Sequence, residues 1–411
     1  MKFGIFYEHQ LPRDWEESSE HRLIQNALKQ IELADGLGFD YAWEVEHHFL
    51  EEYSHSSAPE VFLAAASQRT KNIRLGHGII QLTTNHPARV AERVATLDLV
   101  SNGRVELGLG EGSSVTELHP FNLRFRDKRE IWEDAVKCML PMFWNHGWEY
   151  HGEYFQFPKR AVLPKPLQKP HPPLWIACSQ LDTIKYSAHR GMGALCFKFV
   201  NLEAAEAWVH AYYNTFIHHQ EKLCEYQANP NIAVVAGFMC AETDEEAWKK
   251  ADGWTFFQFA LMLYSKEGPF EPGELHLWDR YQAWKQTPAG QHRTGSELIG
   301  SPDTIRARLK ELEDANVDQV ILLNQAGKNT HEDICSSLEL FAKEVMPEFH
   351  ARHGEQEAWK AAVLNGEIEL EDIDTEPFNI TARAAPTLKS TKEARDMVAG
   401  TAGRPESKAI S

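Results

Sequence analysis

Short apolar runs alternate with long amphipathic ones along most of the chain. "KFGIFY" (2–7) is an unbroken apolar run of strand length. Behind it "HRLIQNALKQIELADGLG" places apolar residues at helical spacing until Gly36 and Gly38 close it. The couplet then recurs. "FDYAWEV" (39–45) precedes "PEVFLAAASQRT", a helix with Pro59 in its first turn, where proline is at home. "IRLGHGIIQL" (73–82) precedes "PARVAERVATLDLVSNG", which Asn102 and Gly103 close. "RVELGLG" (104–110) precedes "DKREIWEDAVKCMLPMFW". A proline-rich connection leads to "PLWIA" (173–177) and "LDTIKYSAHRGMG", then "ALCFKF" (194–199) and "LEAAEAWVHAYYNTFIHHQEKL". "IAVVAGFMCA" (232–241) precedes "DEEAWKKADGWTFFQFALMLY". "PDTIRARLKELEDAN" carries the chain to "VDQVILLN" (317–324), and "THEDICSSLELFAKEVMPEF" closes the pattern.

Continuous apolar runs are what parallel strands buried on both faces look like. Eight of them, alternating with helices, predict an α/β protein built as a (β/α)8 TIM barrel over residues 1–354, not an open sheet. Residues 265–300 read as an insertion between strands seven and eight, a position that shapes the mouth of a barrel. Residues 355–411 read as a polar C-terminal tail, partly disordered, with a short helix at "EQEAWKAAVL".

Composition narrows the function. The 411 residues carry 42 Lys and Arg against 60 Asp and Glu, a formal net charge of −18. So acidic a chain lacks the electrostatic footprint for nucleic acid or anionic lipid, so neither is expected as a partner. No segment reaches the roughly 18 apolar residues that span a bilayer, and the N-terminal run is too short for a signal peptide. The six cysteines contain no CxxC pair, which speaks against zinc ribbons and disulfide frameworks. A cytoplasmic protein is expected.

Barrel enzymes gather their reactive groups at the C-terminal ends of the strands. There the polar clusters fall: Glu46-His47-His48 after strand two, "QLTTNHP" after three, "EGSSVTE" after four, "CSQLDT" after five, Lys198 on six and "NQAGKN" after eight. Adjacent histidines point in different directions and HExxH spacing is absent, so a metal is not expected. A histidine beside a carboxylate is a competent acid or base near neutrality; the plain alternative is one packed and one solvated histidine. In "CSQLDTIKYSAHRG", Ser179 or Asp182 can cap a helix whose free N–H groups, through Thr183, form an anion site. "GLGEGSS" adds Gly110 and Gly112, which allow close backbone approach, and the hydroxyl of Ser113. An ordinary cap and an ordinary loop explain the same residues, and the glycines do not form the GxGxxG of a dinucleotide fold.

Taken together these segments resemble the bacterial luciferase-like flavin monooxygenases. "LGFDYAWEVEHHF" is similar to that family's strand-two signature, and "IRLGHGIIQLTTNHPARVAERVATLDLVSNGRVELGLGEG" to its longest one. "YHGEYFQF", the stretch through "PLWIACSQLDTIKYSAHRGMGAL", and "IGSPDTIRARLKELEDANVDQVILL" follow in the family's order. The resemblance implies a TIM barrel and reduced FMN supplied by a separate NAD(P)H-dependent flavin reductase. It puts His47 on the catalytic histidine, Glu46 on its flavin-face carboxylate, and Ser179, Gln180 and Thr183 on the phosphate turn. It also puts Gly78-Ile79 where several members have a non-prolyl cis peptide, and implies a homodimer. Where some members hold the phosphate with arginine this chain has Glu111, so the cation must come from Lys198, Arg190 or Lys328.

The expected activity is two-component monooxygenation: one oxygen atom of O2 enters an apolar organic substrate through a C4a-peroxyflavin, with His47, tuned by Glu46, as acid or base. No side chain activates O2 unaided, so the cofactor is required. "WTFFQFALMLY" and "HLWDRYQAW" are candidate walls of an apolar pocket, though core packing explains many of those rings. A deazaflavin (F420) oxidoreductase, a non-catalytic flavin-binding barrel and, more distantly, a metal-dependent hydrolase are the alternatives.

Overall fold

Eight parallel strands close on themselves in the computed structural model, which describes residues 1–197, 202–293, 295, 297–371 and 373. The barrel strands are β1 (Lys2–Tyr7), β2 (Tyr41–Glu44), β3 (Arg74–Gln81), β4 (Val105–Gly110), β5 (Leu174–Cys178), β6 (Gly193–Cys196), β7 (Ile232–Cys240) and β8 (Gln319–Leu323). Each pairs with its neighbour in sequence, β8 returns to β1, and β6 meets β7, with Leu195 opposite Ala233. The chain is therefore a TIM barrel, as its alternating pattern predicts.

Helices α1 (Ser19–Leu37), α2 (Pro59–Ser67) and α3 (Pro87–Val100) follow the first three strands. A one-turn helix α4 (Val115–Leu118) and α5 (Lys128–Met139) follow β4. Then come α6 (Leu181–His189), α7 (Leu202–His218), α8 (Asp244–Lys250), α9 (Phe256–Glu267), α10 (Leu277–Trp284), α11 (Pro302–Asp314), α12 (His331–Glu344) and α13 (Met346–Leu364). The proline-rich connection holds an antiparallel hairpin, Trp148–His151 with Gln156–Arg160, tied down by Asp134, which accepts from the backbone N–H groups of Tyr154 and Phe155.

The end of the chain differs from its sequence reading. The boundary drawn at 354 falls inside α13, whose Gln356, Lys360 and Val363 are buried. Lys360 Nζ lies 3.2 Å from Asp318 Oδ1 just before β8, which fixes the helix to the base of the barrel. Beyond α13 the structure describes residues 365–371 and 373 of the expected tail, and the rest lies outside the described residues.

Large rings fill the barrel because small residues face them. Trp43 of β2 meets Trp175 of β5 edge to face at 5.4 Å, and Trp175 Nε1 donates to Glu106 Oε2 at 2.6 Å. Gly76 faces the Trp43 indole so closely that a Cβ there would stand 2.1 Å from it. This interior cluster continues upward without a break into Phe256, Phe259, Leu263, Trp278 and Tyr281 of α9 and α10. Helices α9 and α10 thus form a lid whose apolar face is continuous with the barrel core, and α10 falls in the expected insertion. The carboxylate of Glu52, buried below it, accepts from the N–H groups of Leu277 and Trp278 and anchors the start of α10.

Candidate functional site

Glu46, His47 and His48 leave the C-terminal end of β2. The His47 N–H donates to Ser56 O at 2.8 Å, which holds the loop closed. Its ring does not pair with Glu46. His47 Nδ1 lies 2.8 Å from Glu117 Oε1, a carboxylate supplied by α4, 70 residues away in sequence. The two side chains are 11% and 0% exposed, so this is a buried pair in which only the imidazole keeps some accessible surface. Gln81 Nε2 also donates to Glu117 Oε1 at 2.6 Å, and Ser113 Oγ donates to Oε2. Burial disfavours both charges, but the opposite charges and these hydrogen bonds prevail. Glu117 is held down at about 2, and His47 is raised above its usual 6.5 by Glu117, Glu8 and Glu46. Glu46 instead accepts from His48 Nε2 at 3.0 Å, Asn85 Nδ2 at 2.9 Å and the Gln81 N–H at 2.8 Å. Glu46, which the sequence reading made the tuner of His47, acts on it through its charge and not through a hydrogen bond.

Glu117 is the residue sequence reasoning missed. Its signal was present: "SVTE" (114–117) is a capping box, and Ser114 does cap α4, accepting from the Glu117 N–H at 3.4 Å. The carboxylate, however, keeps only Oε2 on its own helix cap, where it accepts from the Ser114 hydroxyl at 3.2 Å, and gives Oε1 to His47, a choice no local pattern encodes.

The second cluster lies at the start of α6. Gln180 is the N-cap, and the Thr183 hydroxyl accepts from the N–H groups of Ser179 and Gln180, each at 3.2 Å. Those two donors, expected to be free, are thus occupied; the helix N-terminus offers those of Leu181 and Asp182. Two of the three cations the sequence suggested have partners of their own. Arg190 is engaged by Glu133 at 3.0 Å, Lys328 lies over the Trp278 ring at 5.5 Å under the lid, and Lys198 is outside the described residues. Arg129 of α5 is a further cation beside α6. Its guanidinium covers the Tyr186 ring of α6 at 4.0 Å, and its charge reaches Cys178 at the end of β5. Glu111 pairs with it, and Lys128 Nζ lies 3.6 Å from the same carboxylate. Glu111 therefore orients two cations instead of replacing one.

The Gly78–Ile79 bond is trans, contrary to the resemblance; among the described residues the one non-prolyl cis bond is Arg13–Asp14. β3 accommodates the site differently, with a register shift against β4 between His77 and Ile80 that places an extra residue at this point. The shift lays Ile79 over Gly110, where a Cβ would stand 2.7 Å from the Ile79 side chain. A Cβ on Gly112 would stand 3.2 Å from Gln81 Oε1. These glycines let β3 and the β4 loop close together. Ile79, Ala177 of β5 and Phe197 beyond β6 remain partly exposed on the mouth, and Ser113, Ser179 and Gln180 are exposed at its border. Gln81 Oε1 is a buried acceptor without a donor. An apolar strip, an orphaned acceptor suited to a ring N–H, and an anion site backed by Arg129 fit a planar heterocycle with a phosphate tail.

Residues 1–319 match the model of the luciferase-like monooxygenases, and the chain belongs to that family. It is 25% identical over 358 residues to the oxygenase component of a flavin-dependent trigonelline monooxygenase from Acinetobacter baylyi, covering 85% of this chain and 96% of that protein. Among solved structures it resembles the monooxygenase RslO1 from Streptomyces bottropensis, with a TM-score of 0.69, 25% identity, and 85% and 100% of the two chains covered. It shares the fold of the F420-dependent tetrahydromethanopterin reductase from Methanopyrus kandleri, with a TM-score of 0.60, 22% identity, and 85% and 99% covered. Among the described residues no group of His, Cys, Asp and Glu is arranged to hold a metal, and no helix is long and apolar enough to cross a membrane.

Proposed function

We propose that the chain is the oxygenase component of a two-component monooxygenase, using reduced FMN from an NAD(P)H-dependent reductase to insert one oxygen atom of O2 into an apolar organic substrate. The observation that carries this reading is the buried His47–Glu117 pair, set at the same mouth as the open apolar strip and the Arg129-backed helix start. The trigonelline relative, named as the oxygenase component of a flavin-dependent system, supports it.

Bound reduced flavin would supply the electrons that activate O2; the chain supplies the surroundings. Leu181 and Asp182 N–H groups with Arg129 and Lys128 would hold the phosphate, while Ile79, Ala177 and Phe197 would face the ring. Glu117 keeps a proton on His47 Nδ1 and stabilises the imidazolium, so that Nε2 is the atom from which His47 delivers a proton into the mouth. The α9–α10 lid keeps water from the reacting centre, the condition under which an activated oxygen is transferred instead of lost as peroxide. A homodimer is proposed on the family resemblance.

A second reading has its own observation. Lys128 and Arg129 against Glu111 leave a net charge of about one positive unit, which matches the singly charged phosphodiester of F420 better than the nearly dianionic phosphate of FMN. Anaerobic titration with each reduced cofactor decides between them. Saturable binding of reduced FMN at micromolar concentration supports the oxygenase; binding of reduced F420 alone moves the chain to hydride transfer.

A further inference from the structure

Residues 113–123, between β4 and α5, are tied to the rest of the chain through one side chain. Among the described residues, every hydrogen bond that joins this segment to its surroundings ends on the Glu117 carboxylate. It accepts from His47 Nδ1 at 2.8 Å, from Gln81 Nε2 at 2.6 Å and from the His48 N–H at 3.4 Å. The other bonds are internal: the Ser113 and Ser114 hydroxyls turn to the same carboxylate, and the N–H groups of Leu118, Asn122 and Leu123 donate to carbonyls of the segment itself. The chain just before it is fixed, with Thr83 Oγ1 donating to Glu111 O at 2.9 Å and Lys128 Nζ to Gly112 O at 3.0 Å.

Gly112 and Asn122 stand at the two ends in the left-handed region, at φ 85° and 60°. Loop positions of this kind absorb the backbone rotation of a moving segment. At the seam with the lid no polar contact has to break. The Thr116 hydroxyl is buried there without a hydrogen-bond partner, against Gly268 just beyond α9, where a Cβ would stand 2.6 Å from it. The outer face is apolar: Val115 and Phe121 are 48% and 39% exposed, and Phe121 lies 5.8 Å from the exposed Phe49 ring. Glu117 and Leu118 are fully buried on the inner side. We propose that residues 113–123 are a hinged flap of the mouth, latched by Glu117, that swings out to admit the apolar substrate and assembles the proton donor when it shuts. The identity of what enters rests on the oxygenase reading. Opening carries Glu117 away from His47, which then lacks the carboxylate that fixes its Nδ1 proton; closing restores the pair and excludes water. Proton delivery is thereby confined to a shut site.

The test uses the full chain and reads amide exchange of residues 115–123 against that of β4 and α5. Glu117→Ala should raise exchange across the segment by about tenfold or more, the scale of one lost hydrogen bond to a charged group, with β4 and α5 unchanged. Exchange at the native rate, or a rise shared equally by β4 and α5, overturns the flap. A second variant holds it shut. Thr116→Cys with Gly268→Cys puts two thiols at the seam, and diamide joins them as a disulfide by taking up their two protons and two electrons. The cross-link should slow both association and dissociation of N-phenyl-1-naphthylamine, a neutral apolar fluorophore, at nearly unchanged affinity, and dithiothreitol should restore the native rates. Unchanged rates in the cross-linked protein, or a native protein that does not bind the fluorophore, overturn the gate. Reduced-FMN binding measured in parallel separates the two readings. Its absence from the native protein refutes the flavin assignment, whereas failure of the exchange and cross-linking results with FMN binding intact refutes only the flap.

Discussion

Replacing Glu117 with Gln removes the charge opposite His47 while nearly preserving shape. His47 is then left with burial, which disfavours its charge, and with the weaker pull of Glu8 and Glu46. Separating a buried ion pair by removing one partner costs about 3–5 kcal/mol, and part of that is the interaction lost by the imidazolium. At about 1.4 kcal/mol per pKa unit, a loss of about 3 kcal/mol moves His47 down by about two units. The native imidazole should titrate above 6.5 and the variant well below it. Long-range nitrogen-15 correlation spectra of the imidazoles, followed against pH, read both midpoints directly. The pH dependence of stability gives an independent check. The raised His47 contributes stability that is complete below 6.5 and lost as pH rises through its folded value. The depressed Glu117 contributes stability present above 4.5 and lost as pH falls toward about 2. The pair therefore stabilises most between about 4.5 and 6.5, and the stability difference between native protein and variant should be largest there. An unchanged His47 midpoint in Glu117→Gln would refute the assignment of Glu117 as its partner.

Other consequences follow from single contacts. Arg129→Ala should weaken reduced-FMN binding by about tenfold or more in an anaerobic titration, since it removes a charge-assisted contact; an unchanged affinity would place the phosphate elsewhere. Glu52→Gln should loosen the lid, raising amide exchange at Leu277 and Trp278 by at least about tenfold, because hydrogen bonds to a buried carboxylate are worth roughly 1.5–3 kcal/mol each. Protection that survives the change would show that α10 is held by its apolar face alone. His77 is buried with both ring nitrogens unpaired and is pushed down to about 3. Its unfolded form takes up a proton first, so stability falls by up to about 1.4 kcal/mol for each pH unit below 6.5. His77→Leu should remove that acid sensitivity in urea unfolding between pH 6.5 and 4.5.

The barrel was legible because its strands are buried on both faces and hence uniformly apolar, whereas the site depends on contacts between distant loops. All eight strands coincide with the predicted runs to within a residue or two at most ends; β5 runs one residue past its predicted end to Cys178, and β6 starts one residue earlier and ends at Cys196. His47 was found from its neighbours in sequence, but its partner was not, because Glu117 reads locally as a helix cap. Arg129 sits inside a helix of alternating charges, and nothing in "DKREIWED" separates it from solvated neighbours; only the packing of α5 against α6 brings it to Tyr186. Gly78-Ile79 shows the opposite failure. The resemblance carried over a cis bond, but here the bond is trans and β3 shifts register against β4 between His77 and Ile80. The lid aromatics could not be divided in sequence between core and pocket, and in the fold they form one continuous cluster.

The central claim is that this mouth binds reduced flavin and protects what forms when oxygen arrives. Mixing the protein–reduced-FMN complex with oxygenated buffer in a stopped-flow spectrometer tests it most directly. The account predicts a transient absorbance distinct from reduced and oxidised flavin, with peroxide released slowly in the native protein and rapidly in His47→Ala. Direct oxidation at the rate of free reduced FMN, equal in both proteins, would contradict it.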